Sequence, residues 1–345
     1  MKMLPKTIEW ADGKVKIIDQ SKLPQKLEII ECEDADRIVK AIVKMEIRGA
    51  PAIGAAAAMA LALTAYKSRG ETREVIMRRI WETAEKLRRT RPTARNLFWA
   101  IERIISRIEG EKDGKRIAEK VIQEALRIMR EDIEINMRIG ENGAKLIEDG
   151  DTILTYCNAG SLATVYYGTA LGVIRTAWKQ GKKIKVVAAE TRPKLQGARL
   201  TTYELMMDKI PVTLVTDNTI GLLMQRGVID KVIVGADRIL KDGTTYNKIG
   251  TYMVAVLAEK HGKPFYVAAP TTTFDLKSTR REVEIEERSP EEVKEICGCK
   301  IAPEEVPALN YAFDMTPPEY ISAIITEKGN IYPPYRENIM KILCL

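Results

Sequence analysis

The pattern of apolar and polar positions changes character along the chain. The first part is mainly helical, with long amphipathic segments at 71–90 and 113–149 and an Ala-rich apolar stretch at Ile53–Tyr66. After residue 150, short apolar runs alternate with helical segments, which is typical of a parallel, doubly wound sheet. The runs are ILTYC, IKVVAAE, VTLVTD, KVIVGAD, FYVAAP and ISAIIT. We therefore predict an α/β protein with a mostly helical N-terminal domain, residues 1–130, and a parallel-sheet domain, residues 131–345.

Local signals refine the helical part. Asp12-Gly13 stands between two apolar runs and predicts a β-hairpin near the start of the chain. Asp34 is suited to cap a helix that runs on to Glu46. These two signals predict a small β-structure followed directly by the first helix.

Two loops in the helical part are candidates for binding an anion. In IRGAPAIG, Arg48 precedes Gly49, Ala50 and a proline at the start of the Ala-rich helix, where backbone N–H groups are exposed. In RPTARNLFWAI, Arg91 lies at another helix entrance. Each signal is weak alone, because Gly and Pro also simply end helices and most arginines are solvated.

Several predicted strands end in a reactive or polar residue. Cys157, Glu190, Asp217 and Asp237 follow the first four strands of the parallel sheet. Because such strand ends meet at one edge, where ligands bind, we expect these side chains to converge. Cys157 is followed by Asn-Ala-Gly-Ser and a small-residue pattern, which predicts a tight loop and a helix N-terminus that favours a thiolate. Asp237 is either a turn cap or a partly buried acid–base group.

Two further loops carry groups suited to a polar ligand. ETRPKLQGARLTTYEL offers Arg192, Gln196 and Arg199 where a loop enters a helix. ILKDGTTYNKIGTY presents Asn247 and Lys248 ahead of the next helix. Cations, amides, helix N-termini, one acid and one thiol are the ingredients of a site for a sugar phosphate.

Composition excludes several classes of function. The hydrophobic share of 45% and the charged share of 30% are typical of a soluble globular protein. The net charge of +7 raises the question of nucleic-acid binding, but cations and acids are mixed along most helices, so we predict no nucleic-acid partner.

No G-x-G-x-x-G or Walker A motif follows a strand, which disfavours dinucleotides and nucleoside triphosphates. The single histidine, His261, argues against a His-based catalytic pair or metal site.

The sequence also indicates a location. Met1–Trp10 has no secretory pattern, and the five cysteines do not form the framework of a secreted protein. Ile53–Tyr66 is shorter than the ~20 residues that a membrane span needs. We therefore predict a cytoplasmic protein with no membrane partner. The abundance of Lys, Arg, Glu and Ile indicates a thermophilic source. In such an organism Cys297 and Cys299, which are close in sequence, could be oxidised.

Five segments together resemble the signature segments of methylthioribose-1-phosphate isomerases. They are IRGAPAIG, RPTARNLFWA, TYCNAGSLATVYYGTALGVI, AAETRPKLQGARLT and VIVGADRILKDGTTYNKIGTY. The resemblance covers almost the whole chain and implies a helical N-terminal domain, a Rossmann-like C-terminal domain, a homodimer and no cofactor. The sequence departs from the family at Tyr156, often His, and at Thr219-Ile220, often Met-Ala.

The resemblance assigns roles residue by residue. Cys157 and Asp237 match the catalytic pair. The substrate-binding positions match Arg48, Gly49, Ala50, Arg91, Gln196, Asn247 and Lys248. The implied reaction converts 5-methylthioribose 1-phosphate to 5-methylthioribulose 1-phosphate in methionine salvage, without a metal. In our interpretation Asp237 protonates the ring oxygen to open the ring, and hydrogen then moves from C2 to C1, either as a proton on Cys157 or as a hydride.

Two alternatives stay open. The wider superfamily includes isomerases of ribose 1,5-bisphosphate, whose second phosphate needs cations where a methylthio group needs an apolar wall. It also includes regulatory subunits of the translation-initiation-factor nucleotide-exchange complex, which are not enzymes. The presence of both Cys157 and Asp237 argues against the second alternative.

Overall fold

A computed structural model describes residues 4–91 and 94–343, which form two compact units. The helical unit comprises residues 4–137 and 160–168, and the sheet unit comprises residues 138–159 and 169–343. The chain therefore leaves the sheet unit after Ala159 and returns to it at Thr169. Pro92 and Thr93 of the second motif, like Cys344, lie outside the described residues.

The helical unit begins with a three-stranded antiparallel sheet. Its strands are β1 (Ile8–Ala11), β2 (Lys14–Ile18) and β3 (Ile29–Cys32). Asp12 and Gly13 join the first two with φ values of 47° and 82°, as a two-residue hairpin turn requires, so the predicted hairpin is confirmed. The predicted cap is confirmed as well, since the Asp34 carboxylate accepts the Arg37 N–H at 2.8 Å.

Five helices follow in the described part of this unit, and the second forms the centre of the core. They are α1 (Ala35–Val43), α2 (Ala50–Lys67), α3 (Arg73–Arg88), α4 (Arg95–Ile108) and α5 (Gly114–Ala144), which continues into the sheet unit. α2 packs against α1, α3 and α4, because its alanines allow close approach. α2 has 18 residues, more than the apolar stretch in the sequence suggested. Among the helices of the described residues, it alone has the length and composition to cross a membrane. Of its 18 residues, 78% are buried inside the fold, which makes it a core helix.

The sheet unit alternates strands and helices. Its strands are β4 (Thr152–Thr155), β5 (Lys185–Ala189), β6 (Val212–Val215), β7 (Lys231–Val234), β8 (Arg238–Leu240), β9 (Thr245–Lys248), β10 (Phe265–Ala268), β11 (Phe274–Asp275), β12 (Glu295–Ile296), β13 (Cys299–Lys300), β14 (Phe313–Thr316), β15 (Ala323–Thr326) and β16 (Gly329–Ile331). Its helices are α6 (Ala170–Lys179), α7 (Thr202–Met207), α8 (Ile220–Gln225), α9 (Thr251–Lys260), α10 (Glu291–Lys294) and α11 (Tyr335–Leu343), and a π-helical turn at Gly197–Thr201 precedes α7.

The main sheet has the strand order β16-β15-β10-β7-β4-β5-β6. All six apolar runs form its strands, and these six are parallel, with β16 as an antiparallel edge. The predicted parallel sheet is confirmed. Strands β4, β7, β10 and β15 are almost wholly buried, because helices cover both faces of such a sheet.

A smaller sheet, ordered β11-β8-β9-β14, carries the segment that follows Asp237. β8 and β9 form a hairpin that turns at Lys241–Thr244, where Gly243 has a φ of 89°. β14 pairs antiparallel with β9, and this register places Asp314 opposite Asn247. The hairpin thus connects Asp237 at its start to Asn247 and Lys248 at its end.

Candidate active site

The carboxyl ends of four neighbouring parallel strands form the candidate site of the sheet unit. In the order β7, β4, β5 and β6, these strands are followed by Asp237, Cys157, Glu190 and Asp217. The prediction that these residues gather at one edge of the sheet is confirmed. Because they belong to loops that leave adjacent strands, this edge is where a small ligand would meet both a thiol and a carboxylate.

Cys157 lies directly beyond β4 in an unusual backbone conformation. Its φ of +63° is in the left-handed region, which costs a residue with a side chain about 1–2 kcal/mol. Hydrogen bonds hold both backbone polar groups. The Cys157 N–H donates to Thr191 Oγ1 at 2.9 Å, and the Thr201 hydroxyl donates to the Cys157 carbonyl at 2.7 Å. The strained backbone is thus fixed from two sides, and the side chain is only partly buried.

The helix expected directly after Cys157 begins later than the sequence suggested. The chain first passes through residues 160–168 of the helical unit, and α6 begins at Ala170. The prediction of a helix start right after the cysteine is therefore wrong. Small residues continue into residues 160–168, so the sequence pattern does not show that the chain leaves the sheet unit there. On its return the chain meets the same loop, since the N–H groups of Thr169 and Leu171 donate to the Ala159 carbonyl at 3.0 and 3.2 Å.

Asp237 reaches the site through a close approach that needs glycine. A Cβ on Gly235 would lie 2.7 Å from the Ala159 Cβ, so the chain leaving β7 packs directly on the Cys157 loop. The Asp237 N–H donates to the Tyr246 carbonyl of β9 at 2.9 Å, which fixes its backbone. Its side chain is partly buried, as expected for an acid–base group.

Three predicted substrate-binding residues of the sheet unit are nearly buried. Gln196, Asn247 and Lys248 are 7%, 6% and 9% exposed. Asn247 Nδ2 donates to Thr251 Oγ1 at 3.0 Å, and Lys248 Nζ donates to the Ala312 carbonyl at 2.6 Å. Gln196 Oε1 is buried and accepts no hydrogen bond from the described residues. Buried polar atoms normally have a partner, so this amide oxygen is suited to a ligand donor.

A buried charged network lies beneath the Cys157 loop. Arg175 is 1% exposed and donates to Glu204 at 2.6 Å and to Asp208 at 2.5 Å. The other oxygen of Glu204 accepts from Asn158 Nδ2 at 2.9 Å. Burial raises the pKa of Asp208, while the Arg175 charge lowers it. Removing one partner from such a group costs about 3–5 kcal/mol, so the network anchors the residue that follows Cys157.

Asp314 on β14, opposite Asn247 of β9, and Tyr156, directly after β4, are two further polar groups of the sheet unit. Asp314 Oδ2 accepts the N–H groups of Gly250 and Tyr252 at 2.7 and 3.1 Å, at the start of α9. Burial raises the pKa of Asp314 to about 6. Gly250 also packs on Tyr156, since a Cβ there would lie 2.1 Å from the phenol oxygen. Burial, then the Asp217 charge, raises the pKa of Tyr156, so this phenol stays protonated.

The raised pKa of Asp314 predicts a pH-dependent stability. Between the unfolded value near 3.8 and the folded value of about 6, the native protein binds more protons than the unfolded chain. Stability should therefore fall as pH rises through about 6, by about 2–3 kcal/mol in all. Asp314→Asn should remove this loss, so its melting temperature relative to wild type should rise between about pH 4 and pH 8. A melting-temperature difference that does not vary with pH would contradict the assignment.

In the helical unit, Arg48, Gly49 and Ala50 lie at the N-terminus of α2. Gly49 is the N-cap with a φ of 96°, and a Cβ there would lie 2.5 Å from the Ala163 Cα. Only glycine fits this position. Arg48 Nε donates to Gln20 Oε1 at 3.0 Å, which orients the guanidinium. The first backbone N–H groups of the 18-residue helix and the adjacent cation are suited to an anion.

Arg91 lies just ahead of α4 in the same unit. The Ala94 N–H donates to the Arg91 carbonyl at 3.1 Å. The first turns of α2 and α4 are packed tightly, since a Cβ on Gly54 would lie 2.9 Å from the Asn96 carbonyl oxygen. The four predicted residues of the helical unit therefore lie at the N-terminal ends of two packed helices.

Other thiols are distinct from Cys157 in environment. Cys32 is buried in the helical unit, and burial raises its pKa to about 11. Cys297 and Cys299 are exposed free thiols at the turn between β12 and β13. Within residues 4–91 and 94–343, no group of three or more His, Cys, Asp or Glu side chains is placed to hold a metal ion.

The sequence contained a signal for some residues that the motif analysis missed. Arg175 in LGVIRTAW and Glu204 in TTYELMM are charges within otherwise apolar helical stretches, a pattern typical of a buried ion pair. No comparable signal marks Thr191, Thr201 or Asp314, whose roles depend on which backbone groups they reach.

Comparison with known proteins agrees with the fold and the motifs. The model of the initiation factor 2 subunit family matches residues 46–333. The chain is 53% identical over 343 residues to a methylthioribose-1-phosphate isomerase of Thermosipho melanesiensis, with 99% of each chain covered.

Two solved structures are similar over nearly the full length. The 5-methylthioribose 1-phosphate isomerase of Pyrococcus horikoshii OT3 has a TM-score of 0.92 at 45% identity, covering 99% of this chain and 96% of the other. A structure from A. fulgidus, described as translation initiation factor eIF-2B, subunit delta, has a TM-score of 0.88 at 50% identity, covering 99% and 100%. The helical N-terminal and parallel-sheet C-terminal architecture is confirmed.

Proposed function

Because the chain belongs to the initiation factor 2 subunit family, and within it to the methylthioribose-1-phosphate isomerases, we propose that it converts 5-methylthioribose 1-phosphate to 5-methylthioribulose 1-phosphate in methionine salvage. The observation that carries the proposal is the pairing of a thiol and a carboxylate, Cys157 and Asp237, on loops that leave adjacent strands and pack on each other. A regulatory subunit needs neither group.

We propose that Asp237 acts as the acid and base of the reaction. Its carboxylic acid donates a proton to the ring oxygen, the bond from C1 to that oxygen breaks, and the chain form of the sugar results. The hydrogen on C2 then moves to C1, while the proton of the C2 hydroxyl returns to the Asp237 carboxylate. Cys157 either carries the C2 hydrogen as a proton or lies beside a direct hydride shift. In both routes the product is a ketone at C2 with the phosphate still on C1.

We propose that the remaining predicted residues bind the substrate. In the helical unit, Arg48, Gly49, Ala50 and Arg91 combine two cations with helix N-termini, which suits the phosphate. In the sheet unit the amides of Gln196 and Asn247 and the Lys248 ammonium suit the sugar hydroxyls and the charge. The reaction transfers hydrogen within one molecule, so it requires no cofactor.

Turnover of purified protein tests the function against its alternatives. Methylthioribose 1-phosphate and ribose 1,5-bisphosphate are supplied separately, and the ketose products are quantified. We expect the larger kcat/KM for the methylthio compound. A larger value for the bisphosphate would support the pentose-bisphosphate alternative, and no turnover of either would support a regulatory subunit.

We further propose a cytoplasmic homodimer that uses an apolar face of the sheet unit. Tyr252, Met253 and Val256 on α9 are 40%, 40% and 37% exposed, and Leu222 on the neighbouring α8 is 45% exposed. Gly221 of α8 packs against α9, so these side chains belong to two adjoining helices. Exposed apolar clusters of this kind mark association surfaces, and a second copy would cover this one.

A charge at the centre of this face should break the dimer. Met253→Asp is expected to yield monomers, because an unpaired carboxylate would be buried in the interface. The molar mass measured by light scattering after size exclusion checks this. Met340→Asp on α11, where the methionine is 41% exposed, is the matched control and should remain dimeric. A dimer in both variants would contradict the assignment of the face.

A further inference from the structure

Two buried threonines on the loop and turn after β5 hold the backbone of Cys157. Thr191 and Thr201 are both fully buried, and each hydroxyl touches one backbone polar group of the cysteine. The Cys157 N–H donates to Thr191 Oγ1 at 2.9 Å, and Thr201 Oγ1 donates to the Cys157 carbonyl at 2.7 Å. No sequence motif marks this arrangement, because it depends on hydroxyls 34 and 44 residues further along the chain.

Both hydroxyls are themselves fixed. Thr191 Oγ1 donates to the Ala189 carbonyl at 3.1 Å, and the Thr191 N–H donates to an oxygen of Asp217 at 2.7 Å. Thr201 Oγ1 accepts from Asn158 Nδ2 at 3.1 Å. Each threonine therefore has a determined donor and acceptor direction, and neither hydroxyl is free to rotate away from Cys157.

The loop that carries these threonines is built for close approach. A Cβ on Gly197 would lie 1.7 Å from the Ala189 carbonyl oxygen, so only glycine allows the loop to return over the end of β5. The π-helical turn Gly197–Thr201 then places Thr201 beneath the Cys157 carbonyl. π-helical turns are rare and are frequent at functional sites. Here the turn places the Thr201 hydroxyl against the carbonyl of Cys157, whose backbone has a left-handed φ.

We propose that Thr191 and Thr201 are positioning residues that clamp Cys157 in its left-handed conformation and so aim its thiol at the substrate. This inference rests on the proposed isomerase function. A left-handed cysteine without these bonds would relax toward an extended backbone, and its Cβ would then point elsewhere. Catalytic groups misplaced by about 1 Å lose on the order of 10²-fold in rate.

The clamp can be tested at Thr201 without breaking the ion pairs below it. Thr201→Val keeps the shape but removes the hydroxyl, whereas Thr201→Ser restores it. Thr326→Val is the matched control. Thr326 is also fully buried, its hydroxyl donates to the Gly329 carbonyl at 2.8 Å, and it accepts the Lys328 N–H at 3.2 Å. Thr191→Val provides a second variant if Thr201→Val fails to fold.

Two readouts separate the clamp from the proposed function. The first is kcat and KM with methylthioribose 1-phosphate. The second is the rate at which iodoacetamide alkylates Cys157 in the absence of substrate, measured by peptide mapping at a series of pH values. We expect Thr201→Val to lower kcat by about 10–100-fold with KM unchanged and to alter the alkylation profile. Thr201→Ser and Thr326→Val should both behave as wild type.

The outcomes decide between the two proposals. An unchanged kcat in Thr201→Val, or a loss that Thr201→Ser does not restore, would overturn the clamp. If the wild-type protein does not turn over the sugar phosphate, the proposed function fails. In that case an altered alkylation profile in Thr201→Val still supports positioning of the thiol, and an unaltered profile overturns it.

Discussion

Asp237→Asn is expected to fold normally and to lose about 10²–10⁴-fold in kcat, the usual contribution of a general acid–base group. The amide has the size of the carboxylate but cannot donate the proton that opens the ring or accept one afterwards. The backbone bond from Asp237 to the Tyr246 carbonyl does not involve the side chain and remains. The loss corresponds to about 3–5 kcal/mol of transition-state stabilisation. Steady-state turnover measures it, with circular dichroism as the check on folding.

A control at the other end of the same hairpin makes this result specific. Asp242 lies in the turn between β8 and β9, and its carboxylate accepts the Thr244 N–H at 3.0 Å and pairs with Arg280 at 3.0 Å. Asp242→Asn alters a carboxylate of the same small sheet and should leave kcat unchanged. If Asp237→Asn kept wild-type turnover, Asp237 would not be the acid–base group, and its side chain would serve only as a turn cap.

The strands of the parallel sheet were predictable from the sequence because they depend on local apolar runs. Each of the six runs in the second part became a parallel strand. Five of them, β4, β5, β7, β10 and β15, are almost wholly buried, and a strand buried on both faces must be apolar throughout. The positions of Cys157 and Asp237 at strand ends follow from the same pattern. Because the carboxyl ends of parallel strands share one edge of the sheet, Cys157 and Asp237 lie at the same edge.

The details of the site were not predictable because they depend on contacts between distant segments. Nothing local shows that residues 160–168 leave the sheet unit before α6 begins, so the helix after Cys157 was expected too early. The left-handed Cys157 is equally hidden, since a cysteine has no preference for positive φ and the bonds to Thr191 and Thr201 hold it there. The Arg175 network required knowledge of which helices pack together.

Iodoacetamide should inactivate the protein through Cys157, and bound substrate should protect it. The other thiols must be separated from this one. Cys32 is buried with a pKa raised to about 11 and should react slowly, whereas Cys297 and Cys299 are exposed and should react freely. The experiment therefore uses a variant in which Cys297, Cys299 and Cys344 are replaced by serine. We expect loss of activity to follow carboxamidomethylation of Cys157 one for one.

Replacement of the thiol decides what Cys157 does in the hydrogen transfer. Cys157→Ser should lower kcat by about 10²-fold or more, because a hydroxyl is a poor proton carrier near neutral pH. Substrate deuterated at C2 then separates the routes. Loss of deuterium to water means that Cys157 carries the hydrogen as a proton, while full retention at C1 is the result expected of a direct hydride shift beside it, in a pocket that excludes water. Full alkylation of Cys157 with activity retained would remove the thiol from the reaction altogether, because both routes place it against the reacting carbons.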